Sequence, residues 1–174
     1  MTSLMGMEIA ADDLRVIGKD AFFWTSIRSL YLSGDSVEIQ EGAFRYSSVH
    51  SLQIAAKNVI IAENGFKDSE KIMDMLVLPD LTKDICNFLK NGNGAKQLAF
   101  TNVSAGQFEK ILKENGGADL MEKADAVYVP FAREELSDPD LLEDSNVFYQ
   151  GEWHLVRYMM QNHAEEIYAV RDGE

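Results

Sequence analysis

The chain has 174 residues, 46% of them hydrophobic, with three prolines, one cysteine and 16 Lys+Arg against 29 Asp+Glu, a formal charge of −13. That length fits one domain with at most an appendage, and the apolar share is enough to bury the core of a soluble globule. The negative balance argues against nucleic acid and anionic membrane surfaces as partners. Cys86 stands alone, which excludes an intramolecular disulfide and a four-thiolate metal site.

The first residues, Met1 to Glu8, lack the basic and apolar regions of a secretory leader. Apolar runs such as Ala21 to Trp24, Val59 to Ala62 and Met75 to Leu78 are far shorter than the roughly 20 residues of a membrane span. A reducing cytoplasm is compatible with both observations, as is a cell-surface or secreted location if the chain is a mature fragment.

Along the chain a fixed period emerges. Met5, Met7 and Ile9 open it as a half-unit able to cover one end of a stack. Phenylalanine then recurs at Phe22, Phe44, Phe66 and Phe88, three intervals of 22, and Phe108 follows two residues early. Three residues after the first four rings stand Thr25, Ser47, Ser69 and Asn91. Five residues before them stand Ile17, Ile39, Ile61 and Lys83, where Ile85 can substitute.

Each ring is followed by an apolar triplet: Ile27, Leu30, Leu32; Val49, Leu52, Ile54; Ile72, Met75, Val77; Ala95, Leu98, Phe100; and Ala124, Val127, Val129. The last two members are two apart, the period of a strand with one buried face. The gap from ring to triplet grows as 5, 5, 6, 7 and 16 residues, so the loops lengthen while the strands persist. One such unit cannot bury its apolar side alone, and stacked neighbours share a continuous core. The expected architecture is an α/β leucine-rich repeat solenoid of about five repeats over residues 1–130. Short strands carry it, helices are inserted in the later repeats, and an acidic capping segment follows over 131–174.

The runs Ile17-Gly18-Lys19-Asp20-Ala21-Phe22, Ile39-Gln40-Glu41-Gly42-Ala43-Phe44 and Ile61-Ala62-Glu63-Asn64-Gly65-Phe66, each followed by its triplet, carry a resemblance. The pattern resembles the BspA-type leucine-rich repeat, well over residues 14–82 and decaying to about residue 130. Two features depart from it: Thr25, Ser47, Ser69 and Asn91 stand where a cysteine is frequent, and only Pro79 and Pro130 represent the strand-closing proline. The resemblance implies adhesion or protein binding, often on bacterial or protist surfaces.

Beyond the fourth unit, Ser104 reads as the N-cap of a helix carrying Phe108, Ile111 and Leu112, stopped at Asn115-Gly116-Gly117. A short helix over about Asp119 to Lys123 and a strand from Ala126 to Val129 follow. Residues 131–174 hold eleven acidic side chains against three arginines, a net −8, and the other 130 positions carry −5. A hairpin of Val147 to Gln150 with Glu152 to Arg157, then a helix from about Met159 to Val170, is expected there, the apolar positions being open to a helical reading too.

Catalytic signatures fail on spacing. His154 and His163 are nine apart and not an i, i+4 pair, although Glu165 and Glu166 lie near. Asn91-Gly92-Asn93-Gly94-Ala95-Lys96 lacks the phosphate-loop pattern, and Asp138 to Asp144 lacks the order of a calcium loop. Cys86 falls inside the apolar pattern as a small core residue. No cofactor or metal is implied, and the expectation is a non-enzymatic protein.

Side chains between the two buried positions of each strand point away from the core. Those are Tyr31, Gln53, Leu76, Ala99 and Tyr128, flanked by Ser29, Ser51, Asp74, Gln97 and Ala126. This column is the expected contact face for a protein partner, unless the C-terminal segment covers it. The alternative is a structural or self-associating scaffold subunit, and a third reading places a cryptic active site between the repeats and the tail.

Overall fold

The structure, a computed structural model, describes residues 2–70, 72–143 and 145–149. Its elements are β1 (Thr2–Ala10), β2 (Leu14–Ile17), β3 (Thr25–Ile39), β4 (Ser48–Ile61), β5 (Ile72–Leu78), α1 (Lys83–Lys90), β6 (Gly94–Phe100), α2 (Ala105–Asn115), β7 (Ala126–Val129) and β8 (Val147–Tyr149). They form an α/β fold built on one eight-stranded sheet, in the order β1-β3-β4-β5-β6-β7-β8 with β2 beside β3. Every pairing is parallel. Among the described residues no helix is long and apolar enough to cross a membrane.

The long strands β3 and β4 turn a corner. In β3 the buried pair Leu30 and Leu32 is followed by a second buried pair, Val37 and Ile39. The odd step between them reverses the alternation, so only a bend lets both pairs face one interior. Gly34 sits at that bend, where a Cβ would lie 2.9 Å from the Ala11 carbonyl oxygen and 3.1 Å from that of Asp13. Such backbone proximity is what glycine permits.

From Ser26↔Ser48 to Ile39↔Ile61 the chain pairs with itself 22 residues on. The turns that close each lap repeat as well. Asp20 N–H donates to the Gly42 carbonyl, and Gly42 N–H to that of Asn64. Phe22 and Phe44 stack with centroids 4.9 Å apart and planes 8° from parallel, and Phe44 and Phe66 at 4.5 Å and 4°. Burying rings of this size contributes roughly 1.5–3 kcal/mol each. The hydroxyls three residues after the rings satisfy turn carbonyls: Thr25 donates to Phe23, and both Ser47 and Ser69 donate to Phe44. A small polar side chain there supplies the Phe23 and Phe44 carbonyls with hydroxyl donors.

After Phe66 the regularity loosens. The fourth turn is replaced by α1, which Thr82 caps through its Oγ1 and which buries Ile85, Cys86, Phe88 and Leu89. Phe88 meets Phe66 edge-on at 5.5 Å, while Phe108, on α2, packs against Phe100 and Phe131. The column of rings therefore bends away from parallel stacking once helices take over from turns. Ser104 caps α2, accepting from Gln107 N–H, and the left-handed Gly116 (φ 117°) ends it. A 3-10 turn over Gly117–Met121 occupies the place expected for the short helix, and β7 spans Ala126–Val129.

Three expectations are corrected. The core triplet of β5 is out of step by one residue: Leu52 pairs with Leu76, and Leu76 with Leu98. The step from β4 to β5 is thus 24 residues, and the inward column runs Leu30, Leu52, Leu76, Leu98, Val127. Secondly, Leu4, Met7 and Ile9 pack on the core at the first end, whereas Met5 is 72% exposed. Thirdly, Val147–Tyr149 lies parallel to β7, so the sheet runs on past residue 130. The second arm of the expected hairpin and the helix over 159–170 lie outside the described residues.

Candidate functional site

The outward column follows from the corrected register. Tyr31 pairs with Gln53, Gln53 with Val77, Val77 with Ala99, Ala99 with Tyr128 and Tyr128 with Phe148. Leu76 is therefore not on this face: it is fully buried in the core, and Val77 takes its place. Asp74 is displaced by the same slip, and Met75 joins Ser51, Gln97 and Ala126 in the flanking column.

The face divides into two halves. Tyr31, Gln53, Ser29 and Ser51 on β3 and β4 are half-buried. On β5 to β7, Met75, Val77, Ala99 and Ala126 are at most 3% exposed, although they stand outside the main core cluster. Gln97 beside them is 2% exposed, and neither its amide nitrogen nor its oxygen has a hydrogen-bond partner. Ala99 is thus no contact residue for a solvent-borne partner. Tyr128 stacks on Phe148 at 5.3 Å and 23°. Beside this face a polar row crosses the sheet, where Asp74 bridges His50 Nδ1 and Lys96 Nζ, each at 3.2 Å.

A second surface, not anticipated from the sequence, lies on the turns that close the laps. Trp24 is 57% exposed, Tyr46 53% and Phe23 42%. The Phe23 ring stands edge-on to Trp24 (6.3 Å, 87°) and to Tyr46 (5.9 Å, 82°). The Arg45 guanidinium lies over Phe23 at 5.1 Å and over Tyr46 at 5.6 Å, and pairs with Asp20 Oδ1 at 3.2 Å.

Trp24 and Tyr46 also share an unusual backbone, with φ of 53° and 55°, in the left-handed region. Asp68, the next residue at the 22-residue spacing, has φ of 56°. Bulky side chains are disfavoured there, whereas Gly, Asn and Asp tolerate it. In the sequence Trp24 merged with Ala21-Phe22-Phe23 into an apolar run. Only the alignment Trp24, Tyr46, Asp68 hinted that the position faces water.

Two titratable groups, Cys86 and Glu109, are held far from their ordinary values. Burial pushes the Cys86 thiol up to about 11, so it rests as an uncharged core group. Glu109 is nearly buried, and its carboxyl is held down at about 2 by hydrogen bonds from Lys113 and Ser137. That contact joins α2 to the segment after Leu136 and is structural. No cluster of three metal-binding side chains occurs among the described residues. His154, His163, Glu165 and Glu166 lie outside them.

Compared with protein-family models, with curated proteins and with solved structures, the chain matches none.

Proposed function

We propose that the chain is a leucine-rich repeat solenoid of the BspA-like kind that acts as a non-enzymatic protein-recognition module. The 22-residue parallel register of β3 on β4 and the stacked Phe22, Phe44 and Phe66 support the architecture. One observation carries the function: three large aromatic side chains and an arginine are gathered in the open on the turn side. Aromatic residues and arginine are the types that dominate contact energies at protein interfaces. Trp24 and Tyr46 hold a costly backbone conformation with more than half of their surface in water. Neither burial nor turn preference accounts for them, and contact with another molecule does. On the sheet, Tyr31, Gln53 and, apart from them, Tyr128 are the residues of the expected face that stay half-accessible, and Tyr31 with Gln53 forms a second, smaller surface.

The test is affinity capture from source cells with the unaltered chain and with a Trp24→Asn/Tyr46→Asn variant, which keeps residues suited to the left-handed backbone. A protein retained in stoichiometric amount by the first and lost from the second supports the reading. The same proteins on both would contradict it.

A self-associating scaffold is favoured by a different feature. Strand β1 pairs only with β3 among the described residues, runs for nine residues, and carries Glu8 as its single charge. Open edges of that kind pair readily with other chains.

A further inference from the structure

We propose that the turn-side surface recognises a basic, extended segment of a partner protein, through a row formed by Trp24, Tyr46 and Asp68. The inference rests on the recognition reading and adds the chemistry of the partner. The three residues occupy the same position on successive laps and share one backbone conformation, φ 53°, 55° and 56°. Equal backbone geometry sends their Cα–Cβ bonds in the same direction. Stacked laps repeat at roughly the 4.8 Å spacing of neighbouring strands. Backbone bonds tie the row together, from Trp24 N–H to the Arg45 carbonyl and from Tyr46 N–H to that of Lys67. All three side chains are exposed.

The exposed Trp24 ring, the Tyr46 ring that already carries Arg45 over it, and the Asp68 carboxylate form a surface for cations. Aromatic faces attract a guanidinium or ammonium, tryptophan most strongly, and the carboxylate adds an ordinary ion pair. The molecule already shows the interaction once, where Arg45 lies over Phe23 and Tyr46. Arg45 is matched by Asp20 at 3.2 Å, so its charge does not turn a cation away from the Trp24 ring. Lys19 and Lys67 are exposed on these turns too, and the exposed Glu41, Glu63 and Glu70 there outnumber them. The chain as a whole is acidic, at −13, which attracts basic segments to the molecule, and the row selects among them by its rings and carboxylate.

The probe is a fluorescein-labelled peptide of alternating glycine and arginine, eight residues long, titrated with the full chain in 0.1 M salt and followed by anisotropy. Saturable one-to-one binding is expected. Trp24→Gly and Asp68→Asn should each weaken it about three- to tenfold, and a citrulline-for-arginine peptide should not bind. Glycine suits the left-handed backbone, so Trp24→Gly keeps the turn intact, which circular dichroism and thermal melting verify. Equal affinity for the unaltered chain and both variants would overturn the proposal and assign the binding to net charge alone. Absence of arginine-peptide binding, alongside a captured protein that still requires Trp24, would overturn this inference and leave the recognition reading standing.

Discussion

Several side chains in this protein are fixed by backbone geometry before packing is considered. At Gly34 the obstruction to a side chain is main-chain carbonyl oxygen, 2.9 and 3.1 Å from where a Cβ would sit, and main chain cannot rotate aside. Gly34→Ala is expected to cost about 1–3 kcal/mol in denaturant unfolding. Gly6, on the edge strand, has nothing within 4 Å of where a methyl group would stand, and Gly6→Ala should be neutral or stabilising by up to about 1 kcal/mol. Equal effects at the two sites would contradict the bend assigned to Gly34. At Trp24 and Tyr46 the geometry works against the residue, and that conflict marks them as candidates for contact. It was not legible in the sequence, because a sequence shows a tryptophan after two phenylalanines as apolar continuity and carries no sign of φ.

At the scale of elements, the sequence revealed the strands that end the triplets and α2 with its caps, but not β2, the length of β3 and β4 (15 and 14 residues where short strands were expected), the register of β5 or the existence of α1. The reason at β5 is chemical. From Met75 to Leu78 every side chain is apolar, and all four are at most 1% exposed. A period of two cannot choose between Met75 with Val77 and Leu76 with Leu78 when both pairs are hydrophobic. That one-residue slip moved Leu76 from the proposed contact face into the core. At α1 the cap Thr82 and the helical spacing of Ile85, Phe88 and Leu89 were present in the sequence, yet the 22-residue return of Phe88 suggested another turn. The ring kept its place against Phe66 while the backbone around it changed from turn to helix.

The same scale sets a pH dependence. Glu109 on α2 accepts from Lys113 Nζ at 2.9 Å and from Ser137 Oγ at 2.8 Å, with Lys113 also 3.3 Å from Asp138. Its carboxyl is lowered from 4.5 to about 2, so the folded protein binds this proton less readily than the unfolded chain does. The contribution to stability is present above the unfolded value near 4.5 and is lost as pH falls towards about 2. Glu109→Gln should therefore melt below the unaltered protein at pH 7, and the two melting curves should converge as the pH falls towards about 2. A constant difference across that range would show that the carboxylate's charge is not what holds the segment.

For the whole molecule, one parallel sheet assembled in chain order explains why the sequence could be read at all. Each lap meets chiefly its neighbours, so a local period is also a spatial address. The reading weakens where laps lengthen: the step between paired residues is 22 from β3 to β4, 24 from β4 to β5 and 29 from β6 to β7. Loops absorb those additions without disturbing the strands; the longest brings in α2 and the Glu109 contact, whereas α1 is fitted into the β5-to-β6 lap, which keeps the 22-residue step. The charge is distributed by the same logic, most acidic towards the end of the chain and milder on the early laps where the exposed aromatics stand.

The measurement that tests the lap-by-lap return most directly is cysteine cross-linking in a Cys86→Ala background. Tyr31 and Gln53 are paired neighbours on β3 and β4. A Tyr31→Cys/Gln53→Cys variant should form an intramolecular disulfide on mild oxidation, since neighbouring strands bring paired residues within bridging distance. Tyr31→Cys/Leu52→Cys places the second thiol on the buried face and should remain reduced. Bridging in the second variant and not in the first would contradict the 22-residue return, and with it the surfaces derived from it.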